Sequence, residues 1–119
     1  MAVRALRVLV FPETPGVWVA RGLEHDISTV GRSIQSAVDT YLKVAGAHVA
    51  YDCRHHHEPL SAFAAAPPLY WDAFARATPL PIPMAVQRSW PGVPPCVMAA
   101  LARQNPAIRS RYPTALRTA

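Results

Sequence analysis

The sequence predicts a small α+β domain: an antiparallel sheet of three to four strands covered by a long helix, with a short second helix and an irregular Pro-rich C-terminal segment. Three observations predict it. Apolar residues alternate along Leu6 to Phe11 and again along Val17 to Arg21, the period-two signature of strands. From Ile34 to Cys53 they recur at spacings of three and four, the signature of one face of a helix. From Thr78 onward prolines crowd the chain, and each removes a backbone donor and fixes φ.

Taken in order, Leu6, Val8 and Val10 alternate with Arg7, Leu9 and Phe11 to make a first strand. Glu13-Thr14-Pro15-Gly16 is a turn, and Val17 to Arg21 returns as the second arm of a hairpin. Ile27 to Val30 has the β-branched content of a short third strand. Gly31 ends it, where the missing side chain permits a backbone turn. Ser33 is placed to cap the helix that follows, its hydroxyl accepting from a free first-turn amide. Ile34, Ala37, Val38, Tyr41, Leu42, Ala45, Val49 and Cys53 form that helix's apolar stripe, and the helix is expected to end near His56, before Pro59. Gly46 weakens its middle by about 1 kcal/mol relative to alanine. After Pro67 and Pro68, Leu69 to Ala77 reads as a second helix anchored by Trp71 and Phe74.

The six prolines between Thr78 and Cys96 favour extended backbone, as in a linker or a segment laid along a surface. A short helix is expected over Val97 to Arg103, limited by Pro106. The chain therefore divides into an α+β domain, 1–78, and a basic, partly disordered extension, 79–119. Charge follows the same division. Residues 1–72 hold six basic residues against all seven acids, a net −1, whereas residues 73–119 hold six arginines and no acid. Such an extension attracts nucleic acid phosphates or an acidic partner, or simply stays solvated.

Composition excludes several classes. The longest nearly continuous apolar run, Ala62 to Leu69, is broken by two prolines and falls far short of the roughly 18 to 20 residues of a membrane span. Arg4 and Arg7 precede only a short apolar run, so no signal peptide is expected and a cytoplasmic location is. Cys53 and Cys96 are too few for a disulfide framework, and reduced thiols are the default. Metal-dependent nuclease chemistry needs several convergent acids. Glu24 and Asp26 read as solvated, and nothing in the sequence brings Asp39 to them.

His48, Asp52, His55 and His56 are candidate ligands for zinc or nickel, since His48 and Asp52 lie one helical turn apart beside the run His55-His56-His57. Consecutive helical residues point about 100° apart, so one ion cannot take the whole run. The competing account is a polar helix end, with histidines favourably placed against the C-terminal dipole. No catalytic residue is assigned and no cofactor is expected. Most aromatic residues read as packing, but Trp90, between prolines, is suited to anchor the extension onto the body or a partner.

Leu6 to Phe11, the Pro15-Gly16 turn, Val17 to Ala20, Leu23, Gly31, Ser33 and Ala37 together resemble the N-terminal domain of the HicB antitoxin family and its HicB-like relatives. The resemblance covers the first third of the chain. It implies a trimmed ribonuclease H-like fold and a non-catalytic protein-binding domain that forms a homo-oligomer, with a small basic RNA-cleaving toxin as partner in a toxin-antitoxin system. The departures are Gly31-Arg32-Ser33 and Gln35-Ser36, where the family carries acids. Nothing between Thr78 and Ala119 resembles the family's DNA-binding modules. Under this reading Trp90, Met98, Leu101, Arg103, Arg109 and Arg111 are the partner-binding candidates. Two other functions compete with it: a regulator whose arginine-rich tail contacts nucleic acid, and a metal-binding protein or enzyme centred on the histidine cluster.

Overall fold

The computed structural model describes residues 4–81 and 95–107. Five strands and two helices follow in the order β1 (Arg4–Thr14), β2 (Val17–Gly22), β3 (Ser28–Gly31), α1 (Ile34–Arg54), α2 (Pro68–Ala75), β4 (Thr78–Leu80) and β5 (Pro95–Leu101). They build one mixed sheet in the order β3-β2-β1-β5-β4. β1, β2 and β3 form the expected antiparallel meander, with the hairpin closed by Pro15 and by Gly16 at φ 79°. That φ lies in the left-handed region, where glycine carries no steric penalty.

The C-terminal half of the sheet departs from expectation in two ways. Val97 to Arg103 does not form a helix; Pro95–Leu101 is a strand that runs parallel to β1, pairing Leu6 with Val97 and Val10 with Leu101. Alanine, methionine and leucine are good helix formers, but Val97, Ala99 and Leu101 also alternate, and the open edge of β1 supplies the ladder that decides the outcome. The sheet is therefore five-stranded and mixed, not a three- to four-stranded antiparallel one. The expected boundary at Thr78 coincides with the first residue of β4, so both sides of it contribute to one sheet. Pro79 is accommodated because β4 is an edge strand.

Alternation in β1 sorts the core into two layers. Leu6, Val8 and Val10 point to one face and join Ala37, Val38, Tyr41, Leu42, Ala45 and Val49 of α1, together with Val97 and Ala99. Leu9 and Phe11 point to the other face, where Val19, Leu23, Ala66 and Tyr70 meet them under α2. β1 is thus buried on both sides. Full burial of each large apolar side chain here contributes about 1.5–3 kcal/mol.

Local chemistry fixes the ends of α1. The Ser33 hydroxyl accepts from the Ser36 amide at 3.0 Å, as expected of an N-cap. Gly31 is required for a reason other than turning. A Cβ there would lie 2.5 Å from the Ala37 nitrogen, so glycine lets β3 press against the first turn of the helix. α1 ends at Arg54, and Asp52 then organises the exit by accepting from the Leu60 amide at 2.8 Å. Leu60 is fully buried at φ 64°. The loop continues alongside the β2–β3 connection, where Ala64 O accepts from Asp26 N and Leu23 O accepts from Ala66 N. It thereby delivers α2 to the opposite face of the sheet.

Candidate functional site

On the α2 face, two arginines from neighbouring strands hold the helix. Arg7 of β1 pairs with Glu24, whose carboxylate also accepts from the Arg7 amide. Arg21 of β2 binds Asp26 through two nitrogens at 2.7 and 2.9 Å. Their guanidinium groups then lie against aromatic rings of α2, Arg7 at 5.6 Å from the Trp71 centroid and Arg21 at 3.9 Å from that of Tyr70. Hydrogen bonding to Asp26 raises the Arg21 pKa further above its ordinary value, against the opposing effect of burial. Glu24 and Asp26 are therefore not solvated acids; they orient two cation–π contacts. Asp39 accepts from the Gln35 side-chain amide at 2.8 Å.

The histidine-rich end of α1 does not assemble the set read from the sequence. Asp52 faces His57, with Nδ1 3.9 Å from its Oδ1, and its other oxygen is engaged by Leu60 N. His48 sits edge-on to Phe63 with ring centroids 4.9 Å apart, His55 lies on Tyr51 at 4.1 Å, and His56 has φ 58°. Among the described residues no three His, Cys, Asp or Glu side chains converge as a metal site would need. Cys53 is an exposed free thiol.

Two concavities lie at the end of the sheet where β1 and β5 both run out. A groove of about 720 Å³ opens between the C-terminal end of α2 and the turn after β5, with Leu69, Ala73 and Leu101 as apolar wall and Asp72, Arg76 and Arg103 as charged groups. A second, of about 440 Å³, lies between the β1–β2 hairpin and the same turn, bounded by Pro12, Pro15, Trp18, Arg103 and Gln104. Arg103-Gln104-Asn105 is the ridge between them. That ridge is fixed from below. Ala102 N donates to Val10 O at 2.8 Å, and buried Asn105 accepts from the Ala107 amide at 2.9 Å.

The partner-binding candidates are therefore dispersed. Arg103 lines both grooves, Leu101 lines the larger one and packs partly against the α1 core, and Met98 is 40% exposed on the α2 face of β5. Trp90, Arg109 and Arg111 lie outside the described residues. Sequence reasoning missed Trp18, which lines the smaller groove, Arg76, which lines the larger, and Gln104, which lines both. Their only local signal was the proline-flanked hairpin beside Trp18.

Fold and site together define an α+β protein with one helix on each face of a five-stranded mixed sheet and paired grooves at one end. Comparisons with family models, with curated proteins and with solved structures gave no match. No helix among the described residues is long and apolar enough to cross a membrane.

Proposed function

We propose that this chain is a non-catalytic protein-binding domain of the HicB-like kind, an antitoxin-like inhibitor that occludes a small RNA-cleaving toxin in the cytoplasm. The observation that carries the reading is the antiparallel meander β1–β3 with a single long helix across it, in which the acids a nuclease would need are engaged elsewhere. Glu24 and Asp26 are held by Arg7 and Arg21, and Asp39 is bound to Gln35. The exposed apolar groups support it too. Val30, 60% exposed on edge strand β3, favours association through that edge, and Met98 on β5 is the adaptable apolar contact that partner surfaces favour.

The test is capture of partners by the untagged full chain from extracts of its own cells, followed by an RNA-cleavage assay on whatever is captured. A small basic protein whose cleavage activity stops at one equivalent of the chain is the expected result. Met98→Glu, at an exposed position, should lose both capture and inhibition while keeping the wild-type circular dichroism spectrum. Capture of no such protein, or undiminished RNA cleavage by the captured complex, would sink the proposal.

A further inference from the structure

We infer that the open edge of β3 is a self-association surface, on which the β3 strand of a second copy of this chain pairs antiparallel about a two-fold axis at Thr29 and joins the two sheets into one. The pairing does not depend on the chain inhibiting a toxin. β3 is the outermost strand on one side of the sheet and β4 on the other, and the sequence treats the two edges differently. Natural edges are guarded by charge, proline, bulges or shortness. β4 has Pro79 at the middle of three residues, whereas β3, Ser28-Thr29-Val30-Gly31, holds neither a charge nor a proline and is guarded by shortness alone. The direction of its free backbone groups follows from the register. Gly22 N donates to Ile27 O at 2.9 Å, and Arg21 pairs with Ser28, Ala20 with Thr29 and Val19 with Val30. Hydrogen-bonded and non-bonded pairs alternate along an antiparallel ladder, so Thr29 and Gly31 bond to β2 while the amides and carbonyls of Ser28 and Val30 turn outward. Neither of those two residues makes a backbone bond outside the sheet among the described residues.

Side chains select what meets that edge. Phe11, Val19 and Val30 form one cross-strand row on the α2 face. The first two are buried, and Val30, at the open end of the row, is 60% exposed. A second β3 can use the outward groups in two symmetric registers. With the axis at Thr29, Ser28 lies opposite the partner's Val30 and Val30 opposite the partner's Ser28, which satisfies every outward amide and carbonyl of both strands. With the axis at Val30, only the Val30 pair would bond within the strands, and Ser28 would face Arg32. In the Thr29 register the two valines lie diagonally across the axis, close enough to shield one another from water. Buried Ile27 meets the partner's Gly31, which has no side chain to oppose it. Charge agrees, because continuing outward brings Arg32 opposite the partner's Asp26. Arg32 is exposed and forms no ion pair among the described residues. Asp26 is held by Arg21 with its side chain 30% exposed, and a carboxylate has lone pairs enough for a second guanidinium. The two-fold axis makes that contact twice, and this self-complementarity selects a second copy over an unrelated strand.

The test is analytical ultracentrifugation of the full chain from about 1 to about 500 µM, with residue-resolved amide exchange over the same range. An interface this short falls below the standard size, so the expected result is a weak dimer that forms as concentration rises. Exchange at Ser28 and Val30 should slow as the dimer forms, while Thr29 and Gly31, bonded to β2, stay protected at every concentration. Val30→Pro removes only an outward donor and spares the β2 ladder, so it should keep the wild-type circular dichroism spectrum and weaken the dimer at least about tenfold. Arg32→Glu sets like charges against the partner's Asp26 and should weaken the dimer roughly tenfold at low salt and less at high salt. A chain that is monomeric throughout overturns the inference. So does a dimer in which Ser28 and Val30 exchange at the same rate at all concentrations, a measurement on the wild type that decides the matter even if Val30→Pro fails to fold. A folded Val30→Pro that dimerises as tightly as wild type overturns it as well. Dimerisation without capture of a toxin leaves the inference standing while the proposed function fails, and capture by a chain that stays monomeric does the reverse.

Discussion

Tyr41 carries a hydroxyl into the interior with no hydrogen-bond partner among the described residues. It does so because Gly22 leaves room: a Cβ at that position would stand 2.7 Å from the Tyr41 oxygen and 2.7 Å from the His25 carbonyl. Burial, reinforced by the negative charge of Glu24, raises the Tyr41 pKa well above its ordinary 10.0. Below that pH the tyrosine is neutral in both folded and unfolded chains and adds no pH dependence. Above it the unfolded chain ionises while the folded one resists, so stability falls as pH rises. Tyr41→Phe removes this contribution. Its stability advantage over wild type should grow by up to about 1.4 kcal/mol per pH unit above 10, as read by urea unfolding at a series of alkaline pH values. At neutral pH the variant should be as stable as wild type or more so, by up to about 1 kcal/mol, since it buries no unpaired hydroxyl.

At the scale of elements, the exit from α1 determines where α2 goes. Asp52 holds the Leu60 amide, Leu60 fills the α1 layer from a left-handed backbone, and the following residues bond to the β2–β3 connection before α2 begins. Asp52→Ala leaves that amide unpaired, and a cost of about 1–3 kcal/mol is expected. Thermal unfolding reads the loss, and faster proteolytic cleavage between His55 and Ala65 should accompany it. Much of this scale was legible beforehand. The hairpin, the Ser33 cap and both helices follow from short-range patterns, because alternation, capping and three-four spacing are local properties. The Val97–Leu101 strand was not, since its sequence suits a helix and only the distant edge of β1 selects the extended form. Glu24 and Asp26 were misjudged for the same reason. Arg21 is only 5 positions from Asp26, but Arg7 is 17 from Glu24, and the rings that give both pairs their purpose arrive with α2. The grooves were the least legible, being made where hairpin, helix end and final turn meet.

For the whole molecule, β5 is a central strand, flanked by β1 and β4, and Val97, Ala99 and Ala100 are almost fully buried. A chain ending before Pro95 loses that strand from both layers of the core. It should show no cooperative thermal transition, and its near-ultraviolet circular dichroism should be flat, whereas a well-folded product with a sharp transition would contradict the assigned topology. The parallel pairing of Arg4 with Pro95 joins residues 91 positions apart in sequence, and such contacts close late because the intervening loop entropy must first be overcome. On the ribosome, then, the first strand emerges early but its inner edge cannot be satisfied until Leu101 has left the exit tunnel. Throughout that interval Leu6, Val8 and Val10 border an unpaired ladder, the kind of edge that recruits other nascent chains. The proline-dense stretch before residue 95 has to be made before that edge can pair, so slower translation through it would lengthen the exposure.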